Sequence, residues 1–151
     1  MKRILVLVCL VLFLGTLVSA EYATAERFVN NKNGTVTDTQ AGLMWADKDN
    51  GSNIHWADAK IYCEGYGGGG KSGWRMPTYD ELRLLNASGA FGPVIGKSGS
   101  FIWSSESRSS TYSIAIWYSY ILIGSGSQGW EAGGRATGTT IFRALPVRSG
   151  K

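Results

Sequence analysis

The arrangement of this chain depends most on ten residues, Gly73-Trp74-Arg75-Met76-Pro77-Thr78-Tyr79-Asp80-Glu81-Leu82. Gly73 permits a sharp turn, and Met76 is expected to be extended because it precedes a proline. Thr78 and Glu81 have the spacing of a capping box, in which each side chain accepts a backbone N–H of the other residue. The stretch therefore predicts a turn, a short extended run and a helix over residues 79–86. We interpret it as structural, since it holds no nucleophile beside a base.

The N-terminal segment has the pattern of a secretory signal peptide. Two basic residues precede an unbroken apolar run over residues 4–14, and residues 18–20, Val-Ser-Ala, resemble a small-residue cleavage site. The apolar run is too short to cross a bilayer comfortably. We therefore expect residues 1–20 to be a signal peptide, residues 21–26 a lead-in and residues 27–149 a single domain. The protein would be exported, periplasmic or extracellular, and without a membrane span after cleavage.

Charge excludes one class of partner. Cleavage at residue 20 would leave 131 of the 151 residues, with 13 basic and 11 acidic side chains. The basic residues are scattered and form no run; the more prominent are Lys71, Arg75, Lys97, Arg108, Arg135, Arg143 and Arg148. Because nucleic-acid binding needs a basic patch or stripe, we do not expect it here. A weak preference for anionic ligands through these scattered residues stays open, but most of the charges are predicted to be solvated surface groups.

Cysteine and histidine usage indicates neither a disulfide nor a metal. Cys63 is the one cysteine beyond the predicted signal peptide, so it is either a buried apolar residue or a thiol that pairs between chains. Burial is favoured, because Cys63 falls on the apolar side of a predicted helix. His55 has no ligand partners at metal spacing, and the polar loop over residues 47–53 lacks the bidentate glutamate of a calcium loop. We predict no metal and no other cofactor.

The order of elements predicts an α+β protein. Asn33-Gly34 is a strong hairpin signal between predicted strands at residues 27–30 and 35–38. A third short strand is expected at residues 43–46, followed by a helix over residues 54–66 and the capped helix described above. Helices that lie between two groups of strands are typical of α+β folds rather than alternating βαβ folds.

The C-terminal half reads as strands separated by polar loops. Strands are predicted at residues 101–105, 112–123 and 139–147, with a polar turn at 106–111 and a Gly/Ser-rich loop at 124–138. Alternate residues of the 112–123 strand are apolar or aromatic on both faces. This strand is therefore expected to be central in its sheet.

Short motifs spread over nearly all of the chain beyond residue 26 carry a family resemblance. In chain order they are Phe28, Asn33-Gly34-Thr35-Val36-Thr37-Asp38, Gly42-Leu43-Met44-Trp45, Trp56-Ala57, Ala59, Tyr62-Cys63, Gly73-Trp74-Arg75-Met76-Pro77-Thr78, Glu81-Leu82, Trp103-Ser104-Ser105 and the closing segment 143–148. Together they resemble the Lcl C-terminal domain family, named for the non-collagenous end of a bacterial collagen-like adhesin.

The resemblance implies a C-type-lectin-like fold related to that of the formylglycine-generating enzyme. In such a fold two helices flank a small, mostly antiparallel sheet, the N- and C-terminal strands pair, and loops carry the ligand surface. Members are mostly exported bacterial proteins, and the adhesin implies binding to sulfated polysaccharides. The enzyme relatives use two active-site cysteines and copper, which a chain with Cys63 alone cannot supply.

The chain departs from the family at one cysteine. The family's helix cysteine commonly has a partner in the closing strand, whereas Ala144 or a neighbour stands there in this chain. The departure removes a disulfide that would contribute about 2–4 kcal/mol.

Aromatic residues suggest where a ligand would bind. Four tryptophans lie in the matched motifs and are expected in the core: Trp45, Trp56, Trp74 and Trp103. Trp130 lies in the predicted 124–138 loop beside polar groups, an arrangement typical of stacking on a sugar ring or anchoring a protein, although it can equally fold back over the sheet edge. The candidate ligand-binding residues are Ser105, Glu106, Trp117, Trp130 and Arg135.

The sequence thus favours an exported, non-enzymatic binding module that recognises a glycan or a protein ligand. Two alternatives remain open: a structural or assembly subunit of the cell envelope, and an enzyme of unrecognised chemistry. Glu106 is the most interesting acid for an enzyme, because it follows a strand end, but a solvated loop position is favoured over a general acid. No catalytic residue is predicted.

Overall fold

A computed structural model describes residues 27–109, 115–135 and 141–151 of the chain. Within these residues the strands are β1 (Phe28–Asn30), β2 (Thr35–Asp38), β3 (Leu43–Ala46), β4 (Phe101–Ser109), β5 (Ile116–Leu122), β6 (Gln128–Ala132), β7 (Phe142–Arg143) and β8 (Val147–Ser149). The helices are α1 (Trp56–Glu64) and α2 (Tyr79–Ala87), with a short 3₁₀ turn over Gly68–Gly70. The protein is α+β, as the sequence predicts. The predicted signal peptide and lead-in, residues 1–26, lie outside the described residues.

The first sheet has the strand order β1-β2-β3-β8, and all of its pairs are antiparallel. The predicted hairpin is confirmed, and Gly34 adopts the positive φ of +84° that its turn requires. The predicted pairing of the N- and C-terminal strands is wrong, because β8 pairs with β3 and leaves β1 at the opposite edge. Val147 also exchanges two backbone hydrogen bonds with Arg75, of 2.8 and 3.0 Å. The closing strand is thus held between β3 and the residues that lead into α2.

The second sheet has the order β6-β5-β4-β7, so the predicted central position of β5 is confirmed. Two loop predictions around it are wrong. β4 continues to Ser109 through an irregularity between Trp103 and Ser107, where it uses four residues against two in β5. β6 occupies Gln128–Ala132, inside the predicted loop, because its backbone pairs with β5 without needing a row of apolar side chains. The protein therefore contains two sheets rather than one small sheet.

The last predicted strand, residues 139–147, is divided between the two sheets. β7 pairs in parallel with β4, and β8 joins the first sheet. The residues between them, Ala144, Leu145 and Pro146, are buried. Residues 136–140, at and before the start of the predicted strand, lie outside the described residues. The crossing segment links the two sheets through the interior.

Each helix covers one face of the second sheet. Trp103 and Tyr120 are cross-strand partners and pack with Cys63 of α1, whereas Ile102 and Ile121 pack on the other face with Leu82 and Leu85 of α2. The α2 cluster also contains Trp45 and Val147 of the first sheet. The predicted flanking of a sheet by two helices is therefore confirmed for the second sheet.

The predicted start of α2 is confirmed in atomic detail. The backbone N–H of Glu81 donates to Thr78 Oγ1 at 3.2 Å, and the N–H of Thr78 donates to Glu81 Oε2 at 2.9 Å. Two of the N–H groups that a helix start leaves without intrahelical acceptors are thereby satisfied. The observed bounds of α1 and α2 differ from the predicted ones by at most two residues at each end.

The polar loop over residues 47–53 is fixed by hydrogen bonds to the C-terminal half. Asp49 accepts from the Ser98 N–H at 2.5 Å and the Ser98 hydroxyl at 2.6 Å, and Arg143 donates to the same hydroxyl at 2.7 Å. Both charged side chains are buried, so Arg143 is not the solvated charge that the sequence suggests. In the described part of the chain no cluster of three or more His, Cys, Asp or Glu side chains has metal-binding geometry.

A buried ion pair closes the first hairpin. Arg27 donates to both carboxylate oxygens of Asp38, at 2.8 and 2.6 Å, and the N–H groups of Gln40 and Ala41 donate to Oδ1. Burial alone would raise the pKa of Asp38, but Arg27 and the two N–H groups outweigh it and hold that pKa below its usual value. The pair therefore stabilises the fold fully above about pH 3.9, the pKa of an aspartate in an unfolded chain, and this contribution is lost as pH falls through the lower folded-state pKa.

We predict that Asp38→Asn lowers the free energy of unfolding by about 1–3 kcal/mol at pH 7, because it removes a charged acceptor from a buried pair. The difference from wild type should begin to shrink below about pH 3.9, where the unfolded carboxylate takes up a proton, and should disappear as pH falls through the lower folded-state pKa. Urea denaturation at pH 7 and at pH 3 measures both effects. Asp80→Asn is the matched control: this side chain is 78% exposed, and its loss should change stability by less than about 0.5 kcal/mol. A difference that does not depend on pH would contradict the ion-pair account.

Candidate functional site

A groove of about 310 Å³ opens between α1, residues 75–78 and β4. Its lining combines an aromatic ring, charged side chains and hydroxyl groups: Trp56, Lys60, Glu64, Arg75, Met76, Thr78 and Ser105. The three residues from α1 are spaced by four, so they lie along one face of the helix. An apolar wall with a few polar groups is the usual construction of a small-ligand site.

Trp56 is held rigidly at one wall of the groove. Its Nε1 donates to the carbonyl of Ser104 at 2.7 Å, and its ring lies 4.4 Å from that of Tyr118. Its backbone N–H donates to Gly134 O at 2.8 Å, and a Cβ on Gly134 would meet both Trp56 and Tyr118 at 2.8 Å. Trp56 is half-buried rather than fully in the core, unlike Trp45, Trp74 and Trp103, whose predicted burial is confirmed. One part of a fixed indole is therefore left to line the groove.

Arg75 lies on the opposite wall and forms a bidentate ion pair with Glu81, which lies behind it. Arg75 Nη1 and Nη2 donate to the two carboxylate oxygens of Glu81 at 2.8 and 2.6 Å, and Nη1 also donates to Met76 O at 3.2 Å. Burial alone would raise the pKa of Glu81, but Arg75 and the N–H of Thr78 outweigh it and lower that pKa. The hydrogen bond to Glu81 in turn raises the pKa of Arg75. Both groups stay charged, and their charges offset each other.

The rim on α1 carries a weaker pair. Lys60 Nζ lies 3.9 Å from Glu64 Oε1, and about half of each side chain is exposed. Exposed pairs of this kind contribute little to stability. Both side chains are therefore free to reorient toward a bound molecule.

Of the predicted site residues, the structure brings Ser105 into the groove. Glu106, the next residue along β4, lies on the other side of the strand, since successive side chains alternate. Glu106 Oε1 accepts the N–H of Tyr79 at 2.7 Å, in the first turn of α2, where a negative charge is favoured. Its Oε2 is buried and has no hydrogen-bond partner within the described residues. Glu106 thus accepts a hydrogen bond from the N-terminus of α2 and is not a solvated loop residue.

The other predicted residues lie elsewhere. Trp117 and Trp130 both point away from α1, because their neighbours Tyr118 and Glu131 occupy the opposite face of the sheet. Both rings are half-buried, and Trp130 belongs to β6 rather than to a loop, with the Arg108 guanidinium 4.3 Å from its ring centre. The second reading of the sequence, in which Trp130 lies against the sheet, describes this position better than an exposed loop.

Arg135 is exposed and follows Gly134, so its backbone lies beside the N-terminus of α1. It is next in sequence to Gly134, which contacts Trp56, whereas the two predicted tryptophans belong to the other face of the sheet. The predicted surface therefore divides into two, and the groove adjoins Trp56 instead of Trp117 or Trp130.

Sequence reasoning missed most of the groove. Trp56, Lys60 and Glu64 repeat every four residues, and this spacing would have placed an aromatic ring and two charges on one helix face. Arg75 and Thr78 lie in the stretch that was interpreted as purely structural. They have that structural role and also face a cavity, which only the packing of α1 against β4 reveals.

Comparison with known proteins identifies the family. The family model described as the Lcl C-terminal domain matches residues 34–148, a range that includes every residue of the groove. The chain belongs to the Lcl C-terminal domain family. Neither the curated proteins nor the solved structures contain a match to the sequence. Among the described residues of this Lcl C-terminal domain, no helix has the length and apolar character that a bilayer crossing requires.

The family's cysteine position has an apolar substitute in this domain. Cys63 and Ala144 are both fully buried and belong to the same cluster as Met76, Trp103 and Phe142. Burial raises the pKa of the Cys63 thiol to about 12, so it is protonated at neutral pH. The prediction that Cys63 is buried is confirmed, and its shared cluster with Ala144 supports the alignment of the closing strand.

We predict that Ala144→Cys forms a disulfide with Cys63 under oxidising conditions and raises the free energy of unfolding by about 2–4 kcal/mol. The same variant kept reduced is the matched control, since it has the same side chains without the bond. Thiol titration in denaturant, followed by thermal unfolding of both forms, measures the effect. Two free thiols after oxidation would contradict the proposed proximity.

In wild type, the Cys63 thiol should react with iodoacetamide only after unfolding, because it is buried and protonated.

Proposed function

We propose that this Lcl C-terminal domain is an exported, non-enzymatic binding module that recognises a glycan through the groove. The observation that carries the proposal is the fixed, half-buried indole of Trp56 beside hydroxyl and charged groups. A sugar ring has an apolar C–H face that packs on an indole, while its hydroxyls need hydrogen-bonding groups at the edge. Thr78, Ser105, Lys60 and Glu64 are placed to supply them.

Pre-organisation supports a binding role. Trp56 is tied through both its backbone and its side chain, and Arg75 is tied to Glu81 through two hydrogen bonds. Groups that are already fixed lose little conformational entropy when a ligand binds. The groove therefore needs no rearrangement of these two walls to accept a ring.

The carboxylates in and beside the groove favour binding over hydrolysis. Glycoside hydrolysis commonly needs two carboxyl groups on opposite sides of the scissile bond. Glu81 is committed to Arg75 and Thr78, which leaves Glu64 as the carboxylate that lines the groove without a tight partner. One exposed acid can bind a hydroxyl, and the described residues of the groove lining supply no second free carboxylate for it to act with.

We also infer a C-type-lectin-like fold and export. Two helices on either side of a sheet, and the first and last described strands in one sheet, support the first inference. The basic and apolar pattern of residues 1–20 supports the second. Mass spectrometry of the protein recovered from expressing cells tests export, since cleavage after Ala20 would leave Glu21 as the first residue.

A groove-filling substitution tests the proposed site. We predict that Ser105→Trp abolishes glycan binding, because an indole at this exposed position would occupy the cavity without disturbing the core. Trp56→Phe should weaken binding about tenfold or more, as the loss of an anchoring aromatic residue does at other interfaces. The measurement is a glycan array followed by calorimetric titration of the oligosaccharides retained by wild type.

Two matched controls locate the effect. Ile61→Trp adds an indole to α1 at a position that is 68% exposed and outside the groove lining. Trp130→Phe alters a tryptophan on the opposite sheet face. Both should bind as wild type does. Retained binding by Ser105→Trp would exclude the groove, and loss in Trp130→Phe instead would return the ligand surface to the other face. A wild-type protein that retains no glycan but captures a protein would replace the proposed ligand class.

A further inference from the structure

We propose that Glu81 determines the ligand class of the groove, by neutralising Arg75 so that the site selects uncharged over anionic glycans. This ligand class differs from the sulfated polysaccharides that the family resemblance implies. This inference rests on the proposed function. Glu81 does not line the groove itself. It acts through Arg75 and is therefore a specificity-determining positioning residue.

The Arg75 guanidinium is a positive charge in the groove lining, and its N–H groups that face Glu81 are already occupied. Its two Nη atoms bind the Glu81 carboxylate at 2.8 and 2.6 Å, in the parallel geometry that makes arginine–carboxylate pairs strong. Nη1 has a second acceptor in Met76 O. A sulfate or carboxylate on a ligand would have to share the guanidinium with a carboxylate that already accepts an N–H from each Nη atom and that the fold itself holds in place.

α2 holds Glu81 from a second side. Its Oε2 also accepts the backbone N–H of Thr78, as part of the capping box. Releasing the carboxylate would therefore break the helix cap as well as the ion pair. An incoming anion would moreover approach a carboxylate of the same charge, which is repulsive.

The remaining charges of the groove also cancel. Lys60 and Glu64 form an exposed pair at 3.9 Å, so α1 contributes one cation and one anion to the rim. Among the described residues that line the groove or pair with its lining, the four charged side chains thus form two pairs of opposite charge. The groups left for a ligand are the Trp56 ring, the Ser105 hydroxyl and the Thr78 hydroxyl, whose oxygen accepts from Glu81 N and whose O–H remains a donor. These groups suit a neutral sugar with an apolar ring face.

Glu81→Gln isolates the charge. Glutamine can still accept the Thr78 N–H, because a capping box tolerates Glu or Gln at this position. The variant therefore keeps the helix start while leaving Arg75 without a counter-charge. Asp80→Asn is the matched control: it changes net charge by the same amount, one residue away, at a side chain that is 78% exposed and contacts Arg83 instead of Arg75.

The experiment uses a glycan array that carries neutral oligosaccharides, uronic-acid oligosaccharides and the same uronic-acid oligosaccharides as methyl esters. Each acidic probe then has a partner that differs only in charge. We expect the wild-type protein to retain neutral and esterified probes in preference to the free acids. Glu81→Gln should gain about tenfold in affinity for the free acids, and Asp80→Asn should behave as wild type. Thermal unfolding of each variant checks that the fold is retained.

Each outcome decides between the claims. Equal retention of free acids and esters by wild type would overturn this inference and leave the proposed function standing. An equal gain in Glu81→Gln and Asp80→Asn would also overturn it, because net charge rather than Arg75 would then be responsible. No gain in a folded Glu81→Gln would do the same. If wild type retains no probe of any kind, the proposed function fails and this inference fails with it.

Discussion

The rest of the structure depends on Arg75, which connects β8 to the start of α2. Its backbone exchanges two hydrogen bonds with Val147, and its side chain binds Glu81 of α2. The first sheet, the start of α2 and one wall of the groove therefore meet at a single residue. Moving β8 away would break two backbone hydrogen bonds of Val147, which is fully buried, and an unsatisfied buried group costs about 1–3 kcal/mol. Moving the start of α2 would break the ion pair. This cost explains why the segment that leads into α2 can be extended and still rigid.

Side chains of β4 face both the groove and α2. Its irregularity lets four residues stand against two of β5, and the Ser105 N–H donates to Pro77 O at 2.8 Å instead of to β5. The strand thereby approaches the segment that precedes α2. Because side chains alternate, Ser105 faces the groove while Glu106 satisfies the first turn of α2. Neighbouring residues with similar polarity thus have unrelated roles, which residue type alone does not distinguish.

Local signals in the sequence predicted local structure well. The Asn33-Gly34 turn, the capping box of Thr78 and Glu81, the alternation of β5 and the burial of Cys63 all depend on neighbours within a few residues or on one helix face. The errors involve pairing between distant segments. β6 was missed because Gln128–Ala132 has flanking glycines and serines and few apolar residues, and its existence depends on β5. β8 pairs with β3 and also exchanges hydrogen bonds with Arg75, which lies about seventy residues earlier in the chain than β8. The groove follows the same rule, since Trp56 and Ser105 become neighbours only when α1 packs on β4.

Cys63 is a free cysteine, without the disulfide that the family resemblance implies, which bears on how the groove stays ordered. Around Cys63 and Ala144 the chain places stacked rings, with Trp103 and Phe142 4.0 Å apart and nearly parallel. A second connection comes from the buried Asp49–Ser98–Arg143 network, which joins the loop before α1 to β7. Apolar packing and charge-assisted hydrogen bonds of this kind act in the folded state, whereas a disulfide acts mainly by restricting the unfolded chain. The position of α1, and with it the Trp56 wall, is therefore maintained by contacts that exist only when the core is assembled. A site built in this way is as ordered as the core beneath it, and its charged groups are already paired in the folded state.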